Sequence, residues 1–253
     1  MSVLTWLLLL LAGVGGGLAG SIAGLASLVS YPALLAAGLP PVVANVTNTV
    51  ALVFNGVGSV SASRPELVGQ GRRLARLSVA ALLGGVTGTV LLLITPAGGF
   101  ERIVPFLIAG ASVAILVQRP PRELAVEGAR HPGGSGRWLA VGVYAIAIYG
   151  GYFGAAAGVL MLAMFLLATG TTVARGNAAK NVLLFVANLV AAIGFALFAD
   201  VAWAAMLPLA LGFFVGGRLG PRVVRRVDGT WLRRVIAVLG LGLAIKLGFD
   251  AFG

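Results

Sequence analysis

The chain has 253 residues, of which 59% are hydrophobic, only 10% are charged and none is cysteine. A charged share less than half the ~25% of ordinary soluble domains excludes a water-soluble globule; the lack of cysteine excludes disulfides, thiolate metal sites and cysteine nucleophiles. The formal charge of +11 falls in short loops between apolar runs, the pattern of cytoplasmic membrane loops and not of a nucleic-acid face.

In chain order, apolar runs of membrane-spanning length cover residues 4–39, 42–63, 74–95, 100–117, 138–168, 178–199, 201–217 and 235–249. About 20 residues cross a bilayer, so most runs read as single helices, while the first and fifth are too long for one crossing. No Lys or Arg precedes Arg64, so the first run lacks the basic region of a signal peptide and is expected to stay in the mature protein.

The chain repeats itself. Gly16, Gly20 and Gly24 recur as Gly150, Gly154 and Gly158, Gly38 as Gly170, and Asn45 as Asn177. Further on, Gly84, Gly85 and Gly88 recur as Gly216, Gly217 and Gly220, and Arg102 and Gly110 as Arg234 and Gly242. These spacings divide the chain into a membrane repeat over 1–118, a polar, Pro- and Gly-rich linker over 119–137 that reads as a tether, and a second membrane repeat over 138–253. Equivalent loops differ in charge. Arg64, Arg72, Arg73 and Arg76 follow the second run of the first half, where the second half has only Asp200; after the next run the first half is nearly neutral and the second carries Arg218, Arg222, Arg225, Arg226, Arg233 and Arg234. With all basic loops and the linker cytoplasmic, the halves have opposite orientations. The expected fold is therefore an all-α polytopic membrane protein of two inverted-topology repeats, each a broken or re-entrant helical hairpin followed by three transmembrane helices, with both termini outside.

Glycines spaced by four, as in "YGGYFGAAAG" (residues 149–158), offer a smooth strip for another helix and also weaken their own. Two readings are open: plain packing, or a helix break that lines a cavity, where freed N–H groups attract an anion. The amides in the runs that follow each hairpin, Asn45, Asn48 and Asn55 and then Asn177, Asn181 and Asn188, read either as interhelical glue or as cavity lining. Asn48 and Asn55 share a helix face, as do Asn181 and Asn188. Lys180 either snorkels to the headgroups or points inward to help capture an anion. Tyr31, Tyr149 and Tyr152 offer hydroxyls or pack at the interface. The run 218–226 has the basic character of an anionic-lipid contact, which sidedness also explains. Glu66, Glu101, Glu123, Glu127, Asp200, Asp228 and Asp250 fall in loops or at run ends, and the single histidine, His131, is in the linker. This leaves no proton relay, catalytic pair or metal cluster to suggest an enzyme.

The order of "GLPPVVANVTNTVALV", "YGGYFGAAAG" and "RGNAAKNVLLFVANLVA" resembles the TauE/SafE family of sulfite exporters over residues 13–249. The resemblance implies a two-repeat, all-helical inner-membrane permease that moves small anions, typically sulfite or organosulfonates, usually outward; no cofactor is expected. It departs at "GSIAGLASLVSYP", where members often carry a denser glycine run. The substrate-binding set expected from residues and resemblance together is Gly20, Ser21, Gly24, Asn45, Asn48, Asn55, Tyr152, Gly154, Gly158, Asn177, Lys180, Asn181 and Asn188. Expected partners are the anion, the bilayer and a second copy in a homodimer, not nucleic acid. The competing functions are an anion channel and a membrane subunit that transports nothing. The sidedness has a direct check: a reporter enzyme active only outside the cytoplasm, fused after Gly253, is expected to be active, and an inactive fusion overturns the arrangement.

Overall fold

The structure, a computed structural model, describes residues 1–130, 136–224 and 230–252. His131, Arg225, Arg226 and Asp228 lie outside these residues, as does the side chain of Arg233. The described residues form helices joined by short turns, with no strand among them. The first half consists of α1 (Val3–Ala23), α2 (Ala26–Ala36), α3 (Pro41–Ala62), the short α4 (Arg64–Leu67), α5 (Gly71–Ile94) and α6 (Ala97–Val117). After α7 (Pro121–Arg130) come α8 (Gly136–Tyr152), α9 (Ala157–Thr169), α10 (Val173–Phe198), α11 (Trp203–Val224) and α12 (Thr230–Phe252). Each half is thus a hairpin followed by three long helices, and α1, α3, α5, α6, α10 and α11 are each long and apolar enough to cross a membrane.

Local signals set the ends. Ser2 caps α1 by accepting from the Thr5 N–H, Thr172 caps α10 by accepting from the Arg175 N–H, and Pro41 opens α3 where its missing N–H costs nothing. The polarity is that of a protein in lipid. Leu11, Phe106, Leu197 and Phe198 stand on the outside, while Asn45, Thr47, Asn48, Asn177, Lys180 and Asn181 are buried.

Small residues set which helices touch. Gly13 and Gly17 of α1 lie against Gly212 and Gly216 of α11, close enough that a Cβ on any of them would meet the other backbone. The contacts advance together along both chains, so α1 and α11 run parallel. In the same way Gly84 and Gly88 of α5 lie against Ala147 and Gly151 of α8, again parallel. The hairpin helix of each half is therefore seated on a helix of the other half, and α6 packs on α12. Without a hydrophobic force between helices in lipid, such close backbone approach supplies the van der Waals contact that holds them.

The linker differs from the expected tether, for it contains α7. Leu124 and Gly128, four residues apart on one face, bury against α9, with Leu124 among Leu162 and Leu166 and Gly128 on the carbonyls of Leu166 and Leu167. The sequence pattern is only one turn pair long, too short to register as periodicity, and Gly128 contributes by having no side chain.

Gly216→Leu is expected to overpack the α1–α11 contact, lowering stability by about 1–3 kcal/mol, whereas Gly242→Leu, where a side chain meets open space, should be neutral. Thermal melting of the purified variants in detergent checks both.

Candidate functional site

Both hairpins turn inside the protein, and their turns meet. α1 ends at Gly24, whose φ of 78° belongs to the left-handed region, and α2 starts two residues later. The second turn spans Phe153 to Ala156, with Gly154 at φ 78° and Ala156 at φ 59°. An alanine in that region is uncommon and needs support. Some comes from Tyr149, whose hydroxyl donates to the carbonyl of Ala155 at 2.6 Å and ties the turn together. The glycine repeat matches Gly24 with Gly158, but the left-handed glycine of the second turn is Gly154, so the second break comes one helical turn earlier. Gly24 and Gly158 instead touch each other, backbone on backbone, leaving no room for a Cβ on either.

A helix that ends in the membrane leaves carbonyls without partners. Each half supplies the other with a cap. Asn177 Nδ2 donates to the carbonyl of Ser21, near the end of α1, at 2.8 Å. Asn45 Nδ2 donates to the carbonyl of Tyr152, the last residue of α8, at 2.9 Å. Lys180, fully buried, adds a second cap on α1, its Nζ donating to the carbonyl of Gly20 at 2.8 Å and that of Ser21 at 3.4 Å. It does not snorkel. By the spacing of the two capping asparagines, the residue matching Lys180 is Asn48 and not, as the paired amides suggest, Asn181 matching Asn48. Asn48 is engaged with the hydroxyls of Ser27 and Ser30 on α2.

Between the two turns lies a cavity of about 50 Å³. It is lined by Gly20, Gly24, Asn55, Gly154, Gly158, Asn181 and Asn188 from the expected set. Ala26 and Ser27 bring the start of α2 to it, and Ala157 with Gly158 the start of α9, so two helix N-termini face one space. At 1.5 Å per residue, Asn181 and Asn188 lie about 12 and 22 Å along the roughly 39 Å of α10, on either side of its middle. Asn181 Nδ2 and Asn55 Oδ1 are buried without a protein partner, leaving one donor and one acceptor at the wall. Ser21, Asn45, Asn48, Tyr152, Asn177 and Lys180 stand behind the wall and hold it. The sequence reading missed Ser27, Ser59 and Phe185, which also line the cavity; Ser59 and Phe185 sit in runs whose composition is that of any membrane helix.

These features define a multi-pass helical membrane protein whose interrupted helices enclose a polar space. The sequence profile of the sulfite exporter TauE/SafE family matches residues 9–247; the chain belongs to that family of membrane transporters. It is 27% identical to the probable membrane transporter protein YfcA of Escherichia coli strain K12 over 241 residues, covering 94% of this chain and 87% of that protein. It is 28% identical to the probable membrane transporter protein ORF9 of Sinorhizobium sp over 235 residues, with 92% and 88% covered. A probable membrane transporter protein of Haemophilus influenzae is 25% identical over 237 residues, with 91% and 89% covered. No solved structure matches the chain.

Because the two cross-caps satisfy carbonyls that have no water to turn to, Asn45→Leu and Asn177→Leu are each expected to cost about 1–3 kcal/mol, read as a lower melting temperature. The double substitution should cost about the sum, since the two caps lie at different helix ends.

Proposed function

We propose that the protein is an inner-membrane secondary transporter that exports a small sulfur oxyanion, sulfite or a compact sulfonate, from the cytoplasm. The observation that carries this reading is the meeting of two broken hairpins, one from each half, at a cavity faced by two helix N-termini. Helix N-termini favour a negative charge, and membership of a family described as sulfite exporters supports the choice of anion. Size supports it too. A space of about 50 Å³ exceeds what one water needs and suits a small ion.

In this reading the halves are inverted repeats. The packing supports it: α5 runs parallel to both α8 and α10, with Gly85 against Ala187 and Thr89 against Gly194, while α1 runs parallel to α11, which a short turn sets opposite to α10, so α1 and α8 are opposed. The basic segments also gather at one end, where Arg175 donates to the carbonyl of Val68 and Arg218 to the hydroxyl of Ser61; with positive loops inside, that end is cytoplasmic. The anion rests against Gly20, Gly24, Gly154 and Gly158 and takes hydrogen bonds from the amides of Asn181 and Asn188. Lys180 lends positive charge from behind the wall, one carbonyl away. Outward movement of one negative charge is favoured by roughly 2.3 kcal/mol per 100 mV with the interior negative, so export needs no coupling ion.

In proteoliposomes loaded with labelled sulfite, efflux is expected to rise with an imposed negative-inside potential. Asn181→Leu should lower that efflux at least ten-fold while leaving the melting temperature within a few degrees of the parent. Potential-independent efflux would rule out the uncoupled scheme, and undiminished flux in Asn181→Leu would remove the cavity from the path.

A further inference from the structure

A second concavity, distinct from the one between the hairpins, opens at the basic end of the protein. It encloses about 770 Å³ between the starts of α5 and α8 and the turn from α9 into α10. Four arginines line it, Arg72, Arg73 and Arg76 from the first turns of α5 and Arg175 from the first turn of α10, and no carboxylate does. Gly136, the first residue of α8, completes the rim.

Arg72, Arg73 and Arg175 stand at the wrong end of their helices, and Arg76 follows one turn later. The N-terminus carries the positive end of the helix dipole, so an arginine there is disfavoured where the same residue at a C-terminus is favoured. Arg72 and Arg76 are also four residues apart on one face of α5, a like-charge pair that further weakens the helix. The sidedness of positive loops accounts for arginines at this end of the protein. It does not account for three helix starts and four guanidinium groups around one hollow, when Arg218 and Arg222 show that the same end offers the favourable C-terminus of α11. Arg73, though exposed, has its guanidinium 6.0 Å from the ring centre of Phe165. Such a local conflict, repeated on two helices, is relieved by an anion in the hollow.

The geometry points to a binding site for the headgroup of an anionic phospholipid, one bearing two phosphates. The forks of Arg72 and Arg76 match two singly charged phosphodiesters in charge and in bidentate shape, while Arg175, which also donates to the carbonyl of Val68, and Arg73, beside Phe165, add to the positive field. The hollow is far larger than a small oxyanion requires, and Leu77, Leu139 and Ala168 give it an apolar side on which the glycerol and first acyl carbons rest. Thr171 supplies a hydroxyl donor at its edge. Basic hollows between helices at the cytoplasmic boundary take such lipids for these reasons. This inference does not rest on the transport reading.

The test is native mass spectrometry of the full chain in detergent with added diphosphatidylglycerol, phosphatidylcholine or inorganic pyrophosphate. Diphosphatidylglycerol should be retained in preference to phosphatidylcholine, and pyrophosphate should not displace it. Arg72→Gln combined with Arg76→Gln should lower retention at least ten-fold, while Arg222→Gln, basic but outside the hollow, should leave it unchanged. If the double variant does not yield folded protein, Arg72→Gln alone, an exposed position, should lower retention about three-fold. Equal loss in Arg222→Gln would show a diffuse surface charge, tighter binding of pyrophosphate would show a soluble ligand, and undiminished retention in the hollow variants would show a different site; each of these overturns the proposal.

Discussion

A helix that stops inside a bilayer must find partners for its last carbonyls, and in this protein that requirement joins the two halves. Hydrocarbon offers no donor, and each carbonyl left bare costs several kcal/mol. The carbonyl of Ser21 takes its hydrogen bond from Asn177 and that of Tyr152 from Asn45, so neither hairpin can keep its break without the other half. The glycine contacts follow from the same closeness. Gly24 and Gly158 touch backbone to backbone because neither carries a side chain. The polar cavity is what remains where two turns meet but their helices diverge.

Lys180 shows how the same constraint handles charge. An ammonium taken from water is expensive unless it is hydrogen-bonded, and among the described residues no carboxylate pairs with it. Its partners are the carbonyls at the C-terminal end of α1, where the helix dipole is negative and a cation is favoured by up to about 2 kcal/mol in buried geometries. Asn177 shares the Ser21 carbonyl with it. On the proposed reading this gives the cavity a positive background without a cation in its lining, so that an anion is attracted but not locked into a salt bridge, which suits a ligand that must leave again.

Much of this was legible in the sequence, and the part that was not is instructive. The two long runs announce hairpins because length is set by bilayer thickness, and the break glycines announce themselves by repetition. The expected helix limits differ from α3, α5 and α6 by a few residues at most, since apolar composition changes sharply at the membrane boundary. Less visible was the division of labour among the small and polar residues. Gly13 and Gly17 serve packing against α11 while Gly20 and Gly24, on the same helix, face the cavity; a stripe looks alike in sequence whichever neighbour it meets. Nor does composition separate Asn181, at the cavity wall, from Asn177, one turn earlier and turned to a carbonyl. The helix α7 stayed hidden because its docking depends on Gly128 and on the face α9 presents.

The repeats are not equal, and the inequality bears on how such a protein moves. The break between α8 and α9 carries Phe153, packed edge-on against Tyr31 at 5.4 Å and near Phe100 at 6.0 Å, all three buried. At the break between α1 and α2 the matching stretch holds Ser21, Gly24 and Ala26, and the extra hold there is a lysine. Beyond the asparagine cap that each has, one turn is thus held by aromatic surface and the other by hydrogen bonds from a cation. Perfect inverted repeats would give two arrangements of equal energy related by a two-fold axis, whereas here one break is held by apolar packing, which water does not replace, and the other by hydrogen bonds, which water can replace once it enters. In the proposed orientation the polar break belongs to the path from the basic, cytoplasmic end, the side from which an exported anion must arrive.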